Sequence, residues 1–198
     1  MQIGLGVRIY NPTVTLTLPA HTERLTLRRF HDADLAALHA YRNDSQVARL
    51  QTFQDVTLPD LRIMIRDMQT AEVLKGLQIA VALRDSDLLI GDLYLHGYLP
   101  EQATIGYTFA REQHGQGYAS EAAHWLLAAC FVELNLHRVM AVCSVQNARS
   151  MRLLERIGMR REGLTRSSFR YQGEWHDEYE YAMLAEEWAA RQPKSAPL

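Results

Sequence analysis

Residues 114–121 read HGQGYASE, and from Ala122 to Val132 the chain is apolar apart from His124. Just upstream, ATIGYTFA at residues 103–110 alternates at period two, as a half-buried strand does. The octet therefore joins a strand to a helix, and the question is what its two glycines make room for. At a helix N-terminus the first backbone N–H groups lack intrahelical partners and the dipole is positive, so a glycine-rich lead-in forms an anion site. Gly115 and Gly117 let the backbone approach an anion closely. A flexible turn followed by a helix cap explains the same letters, and the glycines alone do not choose. Known phosphate loops do not fit: a Walker A loop needs Gly-Lys followed by Ser or Thr, which is missing. A dinucleotide fingerprint needs a third glycine where Ser120 stands and an acidic residue ending the next strand, where the chain has RVMAVCSVQN. The early GLG at Gly4–Gly6 has no third glycine at the required spacing.

Outward from the octet, periodicity supplies the other elements. LQIAVALR from Leu77 and LLIGDLYLHG from Leu88 precede ATIGYTFA as short-linked strands, which predicts an antiparallel meander. A helix is expected from Gly117 to Leu134, then RVMAVCSV, apolar on both faces and so a buried central strand. NARSMRLLERIG follows as a helix with Asn147 as N-cap, Met151, Leu154 and Ile157 inward, and Gly158 as its left-handed stop. MRREGLTRSSF and WHDEYEYAML close the chain as two strands joined at YQGE. Towards the N-terminus, Asp34–Tyr41 and Asp60–Met68 have helical spacing, RLTLRRF (24–30) reads as a strand, and VTLTL (14–18) as an extra edge strand. The fold class is α/β in the mixed α+β sense, antiparallel first with a βαβ crossover in the middle.

Composition bounds the function. With 198 residues and 47% apolar content the chain buries a substantial core, and the length favours one domain. A formal net charge of −2 gives no basic excess that would call for nucleic acid or an anionic membrane. Trp125–Val132, the longest unbroken apolar stretch, is far too short to span a bilayer, and MQIGLGVRIYNPTV lacks the pattern of a signal peptide, so a cytoplasmic protein is expected. Cys130 and Cys143 both lie in apolar segments, which suits reduced buried thiols. The polar tail RQPKSAPL is expected to fray.

HGQGYASEA followed by a helix, a buried strand and NARSMRLLERIGMRREG resembles the GNAT superfamily of acetyl-CoA-dependent N-acetyltransferases, specifically its RimJ/RimL-like branch. The resemblance runs from about Arg24 to Trp188 and covers the order of elements as well as the motifs. The family's loop signature has Gln or Arg, two residues, Gly, one residue, then Gly or Ala; here it falls on His114, Gly117 and Ala119, so the first position departs from the pattern. The fold this implies is a GNAT-type acyl-CoA N-acyltransferase fold, a central, mostly antiparallel sheet with flanking helices. Residues 1–20 would form an N-terminal extension, 21–190 a single domain and 191–198 the tail.

The reaction so implied is attack of an amine on a thioester carbonyl, which needs a neutral amine, donors for the oxyanion and a proton for the departing thiolate. Backbone amides of His114, Gly115, Gln116, Gly117, Tyr118, Ala119 and Ser120 would hold the pyrophosphate, and those around Phe109, Ala110 and Arg111 the pantetheine arm and acetyl carbonyl. Asn147 would contact the same arm and the Ser150 hydroxyl would donate to the thiolate, although a plain N-cap bond from Asn147 to the Ser150 amide explains the same spacing. Arg149 and Arg152 would reach phosphates, or form a solvated helix face. Glu162 in REGLTR is the first choice of base by the resemblance, and Tyr107, Asp177 and Tyr179 rank below it.

Metal chemistry lacks support: Glu121 and His124 have an i, i+3 spacing, but no second copy of that motif exists on another helix. Trp125, Trp175 and Trp188 read as core or rim residues. The expectation is acetyl transfer from acetyl-CoA, as donor substrate with no metal, to the N-terminal α-amine of a protein or peptide. A small amine such as a polyamine, amino acid or amino sugar is the alternative acceptor, and a non-catalytic acyl-CoA-binding module the alternative class. Neither nucleic acid nor membrane is an expected partner. If the chain forms a homodimer, VTLTL is the edge that would pair.

Overall fold

The computed structural model describes residues 15–51, 53, 55–171 and 173–192. One eight-stranded sheet runs through it, with strands β1 (Ala20–His21), β2 (Leu25–Arg28), β3 (Lys75–Leu83), β4 (Leu89–Leu99), β5 (Gln102–Phe109), β6 (Arg138–Ser144), β7 (Arg160–Tyr171) and β8 (Glu174–Leu184) in the order β1-β2-β3-β4-β5-β6-β8-β7. Every pairing is antiparallel except β5 with β6, the crossover expected from the sequence. The helices are α1 (Leu35–Arg42), α2 (Ser45–Ala48), α3 (Leu58–Thr70), α4 (Tyr118–Ala128), α5 (Ala148–Arg156) and α6 (Ala185–Arg191).

The sheet is covered on both sides. Ala122, Ala123, Leu126 and Leu127 of α4 and Leu153 and Leu154 of α5 pack against Leu93, Leu95, Val139 and Ala141. On the other face Leu38 of α1 and Leu61 and Ile65 of α3 meet Phe30, Ala80 and Leu89. Each leucine or isoleucine buried this completely contributes roughly 1.5–3 kcal/mol. Local chemistry sets the helix ends. Thr57 and Asp60 form a reciprocal capping box at the start of α3, and Asn147 Oδ1 accepts the Ser150 amide at the start of α5 (3.0 Å).

The decisive feature lies between β5 and β6. Their register pairs are Gln102 with Arg138, Ala103 with Val139 and Thr104 with Met140, and beyond these the strands part. β5 continues to Phe109 paired only with β4, and β6 continues to Ser144 paired only with β8. Each half of the sheet stays whole while the seam between them opens into a wedge.

Four details differ from the sequence reading. VTLTL is not an edge strand: Val14 lies outside the described residues, and Thr15–Leu18 pair with no strand. Leu16 and Leu18 pack on the main core and the Thr17 amide donates to Glu133 (3.0 Å), leaving Ala20–His21 as the pairing edge. The helix after the octet is α-helical only to Ala128, then widens into a π-turn over Ala129–Glu133. β6 is not buried on both faces, because Val142 is 53% exposed and looks into the wedge. α2 and α6 are too short for periodicity to reveal.

Candidate active site

The wedge opens into a cleft of about 1190 Å³ that crosses the sheet. One arm is built by the octet and the start of α5. Gly115 and Gly117 have φ of +80° and +83°, a left-handed conformation that glycine adopts without strain. Gly117 is the N-cap of α4 and offers no side chain, so the amides of Tyr118, Ala119 and Ser120 have no side-chain cap.

The loop is held from outside by Arg24, a residue the motif reading passed over. Its guanidinium donates to the Gln116 carbonyl (2.9 Å) and to Glu121 (Nε, 2.8 Å), and it lies 4.6 Å from the Tyr118 ring centre. Glu121 also accepts from the Thr22 hydroxyl (2.5 Å) and the Arg24 amide (2.9 Å). Burial alone would raise its carboxyl pKa, but these bonds outweigh burial and hold it below the ordinary value. The Glu121–His124 spacing therefore serves the loop, and His124 packs on Trp188 with ring centres 5.0 Å apart.

His114 has a specific place. Its Nε2 lies 3.1 Å from the Phe109 carbonyl and its Nδ1 2.9 Å from the Arg149 guanidinium. A carbonyl only accepts and a guanidinium only donates, so the ring carries its hydrogen on Nε2 and receives a bond at Nδ1. His114 thus ties the end of β5 to the first turn of α5. Arg152 lines the cleft, Arg156 donates to Ser120 Oγ (3.4 Å), and Arg111 pairs with Asp44 (3.1 Å).

At the bottom of the wedge the Tyr107 and Ser150 hydroxyls lie 2.6 Å apart. Burial pushes the Tyr107 phenol well above its ordinary pKa, so it stays protonated. Burial raises the Cys143 thiol to about 11, and both cysteines are free and buried.

The other arm comes from residues far apart in sequence: Arg42, Gln46 and Arg49 of α1 and its following turns, Gln78 and Asp92 of β3 and β4, and Glu178 of β8. Arg42, only 6% exposed, donates to Gln78 and to Asp92 Oδ1 (3.2 Å), and the Tyr41 hydroxyl donates to Asp92 Oδ2 (2.5 Å). The Arg42 Nε is buried without a hydrogen bond among the described residues, with the Phe53 ring centre 4.9 Å from the guanidinium carbon. An aspartate inside the apolar run LLIGDLYL was the one available sequence signal for this network.

Phe109, Arg111, His114, Gly115, Gly117, Ala119, Ser120, Asn147, Ser150 and Arg152 all line the cleft. Gln116 and Tyr118 belong to the loop but are turned to its outer side, and Ala110 donates its amide to the Ile90 carbonyl (2.9 Å), so that amide is not free for a ligand. Glu162 is not brought to the cleft. It pairs with Arg138 (2.6 Å) at the start of β6, where β5 and β6 still pair, and with Arg160 (3.0 Å). Those bonds hold its carboxyl below the ordinary value, the direction opposite to a good base. Asp177 caps the Ser167 amide (2.8 Å), and Tyr179 lies under Arg161.

With this geometry in place, the comparisons with known proteins are specific. Residues 24–160 match the family model described as the acetyltransferase (GNAT) domain. The chain is 38% identical to the uncharacterized N-acetyltransferase YnaD of Bacillus subtilis (strain 168), over 84% of this chain and 97% of that one. It is 33% identical to YdaF of the same strain, a provisionally named ribosomal N-acetyltransferase, over 69% of this chain and 72% of that one. A crystal structure of a GNAT-family acetyltransferase from Bacillus anthracis superposes with a TM-score of 0.76 at 36% identity, over 84% of this chain and 98% of that one. The chain belongs to the GNAT acetyltransferase family. By class it is an acetyl-CoA-dependent N-acetyltransferase.

Proposed function

We propose that this protein transfers the acetyl group of acetyl-CoA to the N-terminal α-amine of a protein or peptide, by direct attack within a ternary complex. The charge of the cleft carries this reading. Its described lining includes the arginines 42, 49, 111, 149, 152 and 156 but only two carboxylates, Asp92 and Glu178, and Asp92 is already paired with Arg42. A polyamine, cationic at several nitrogens, needs more carboxylates than this wall provides. An α-amine has an ordinary pKa near 7.7–8.0, against about 10.4 for lysine, so a useful fraction is neutral at pH 7 without a strong base. The ribosomal name of the relative YdaF points the same way.

In this reading the Gly115–Ser120 amides, Arg149 and Arg152 hold the cofactor phosphates, and Phe109, Arg111 and Asn147 line the path of the pantetheine arm. The amine lone pair attacks the acetyl carbonyl carbon, and the C–S bond breaks with its electron pair on sulfur. Ser150 donates a hydrogen bond to that sulfur, while Tyr107, kept protonated by burial, donates to Ser150 Oγ and sharpens its polarity. The test is free-thiol release from acetyl-CoA against peptides with different N-terminal residues, with polyamines and amino sugars alongside. Turnover on peptides, abolished when their N-termini are blocked, is expected. Turnover confined to small amines, or acetyl-CoA binding without any turnover, would overturn the reading.

A further inference from the structure

We infer that Glu178 is the group that takes the proton from the acceptor amine. This rests on the acetyl-transfer reading above and assigns the base that Glu162, outside the cleft, does not provide. Glu178 lies on β8 in register with Ser144, the last residue of β6, at the open end of the wedge, and it lines the cleft. Asp92, the other lining carboxylate, is committed to Arg42 and Tyr41. Glu178 makes no ion pair among the described residues. It accepts a hydrogen bond at Oε2 from the Ser168 hydroxyl (2.9 Å), which fixes the carboxylate without neutralising it.

The surroundings keep that carboxylate available. Across the sheet it faces Ser144 on β6 and Thr165 on β7, both uncharged, with His176 and Glu180 two residues either way on its own strand. His176 sits against Gln146 and Glu180 is bonded by Thr165, so neither is directed at Glu178. Ser144, in register with Glu178, and Val142, two residues before it on β6, share the Glu178 face of the sheet and also line the cleft.

The step balances. As the amine nitrogen bonds to the acetyl carbon, its N–H proton passes to a Glu178 carboxylate oxygen, directly or through one water. The sulfur leaves with the C–S electron pair and takes a proton from solvent, and Glu178 returns its proton to solvent.

The experiment compares wild type with Glu178→Gln and Glu178→Asp, on a series of acceptor amines of graded pKa that the wild type acetylates, by kcat and kcat/KM and by calorimetric acetyl-CoA affinity. An acceptor other than a peptide would overturn the preceding section and leave this comparison intact. Glu178→Gln is expected to lower kcat about 100-fold and keep acetyl-CoA affinity within twofold. The loss should shrink for acceptor amines of lower pKa, and Glu178→Asp should regain part of the rate. A Gln variant within threefold of wild type, or one slowed equally for every acceptor and not regained by Asp, as a merely structural residue would be, overturns the assignment.

Discussion

The two arms of the cleft are built on different principles. The arm beside the octet is mostly backbone: a left-handed loop, uncapped amides and a short span of α5, contributed by residues 109–120 and 147–156. The opposite arm is a side-chain network assembled from α1, β3 and β4, with a buried ion pair at its centre and Glu178 of β8 on the same wall. A backbone site tolerates changes of side chain but not of conformation, whereas a buried charge network tolerates neither partner alone. The two arms should therefore fail differently, and that difference can be measured.

The sharpest break is Arg42→Met, which leaves Asp92 buried with only the Tyr41 hydroxyl. Removing one partner of a buried pair costs about 3–5 kcal/mol, so urea unfolding should show a large drop in midpoint together with lost turnover. An unchanged midpoint would mean that the pair is not what holds this arm. On the backbone side, Gly117→Val places a β-branched residue at φ +83° with its Cβ 3.3 Å from the Arg24 guanidinium. Strain of about 1–3 kcal/mol should appear as a 10- to 100-fold weaker acetyl-CoA affinity in titration calorimetry, with most of the fold stability retained. Arg152→Ala should weaken the same affinity only several-fold, and the deficit should fade as salt rises, since an exposed point charge is screened.

The smallest effect should come from outside both arms. Glu162→Gln is expected to leave turnover within twofold, and a large loss would restore Glu162 as a catalytic group. The pairings with Arg138 and Arg160 lower the Glu162 pKa in the fold, so their contribution to stability is present above its ordinary value. That contribution fades as pH falls through the lowered one. The stability difference between wild type and the variant should accordingly be visible at neutral pH and vanish in acid, as thermal unfolding across pH would show.

This contrast also explains what the sequence disclosed. The order of strands, the crossover, the octet and the Asn147 cap are local patterns, carried by periodicity, turn residues and contiguous motifs, and the fold displays them. The opposite arm brings together Arg42, Gln78 and Asp92, with Glu178 also on its wall, residues 14 or more apart in the chain, and no local pattern announces such a meeting. Glu162 misled because the resemblance placed it by position along β7, while Arg138 on β6, reaching across the intervening β8, claims its carboxylate. α2 escaped notice because its four residues are less than two turns, although Gln46 on it lines the cleft. VTLTL alternates convincingly, but alternation cannot tell a paired strand from an extended segment whose leucines simply rest on a core.

The parting of β5 from β6 has one more consequence. Past Thr104 and Met140 the two half-sheets are finished structures facing an unfinished seam, so the molecule resembles an arch awaiting its keystone. A ligand lodged there would splice the halves and bind only the folded chain, raising the unfolding free energy by RT ln(1 + [L]/Kd). Amide hydrogen exchange along 105–109 and 141–144 would then serve as a gauge of occupancy, slow when the seam is filled and fast when it is bare.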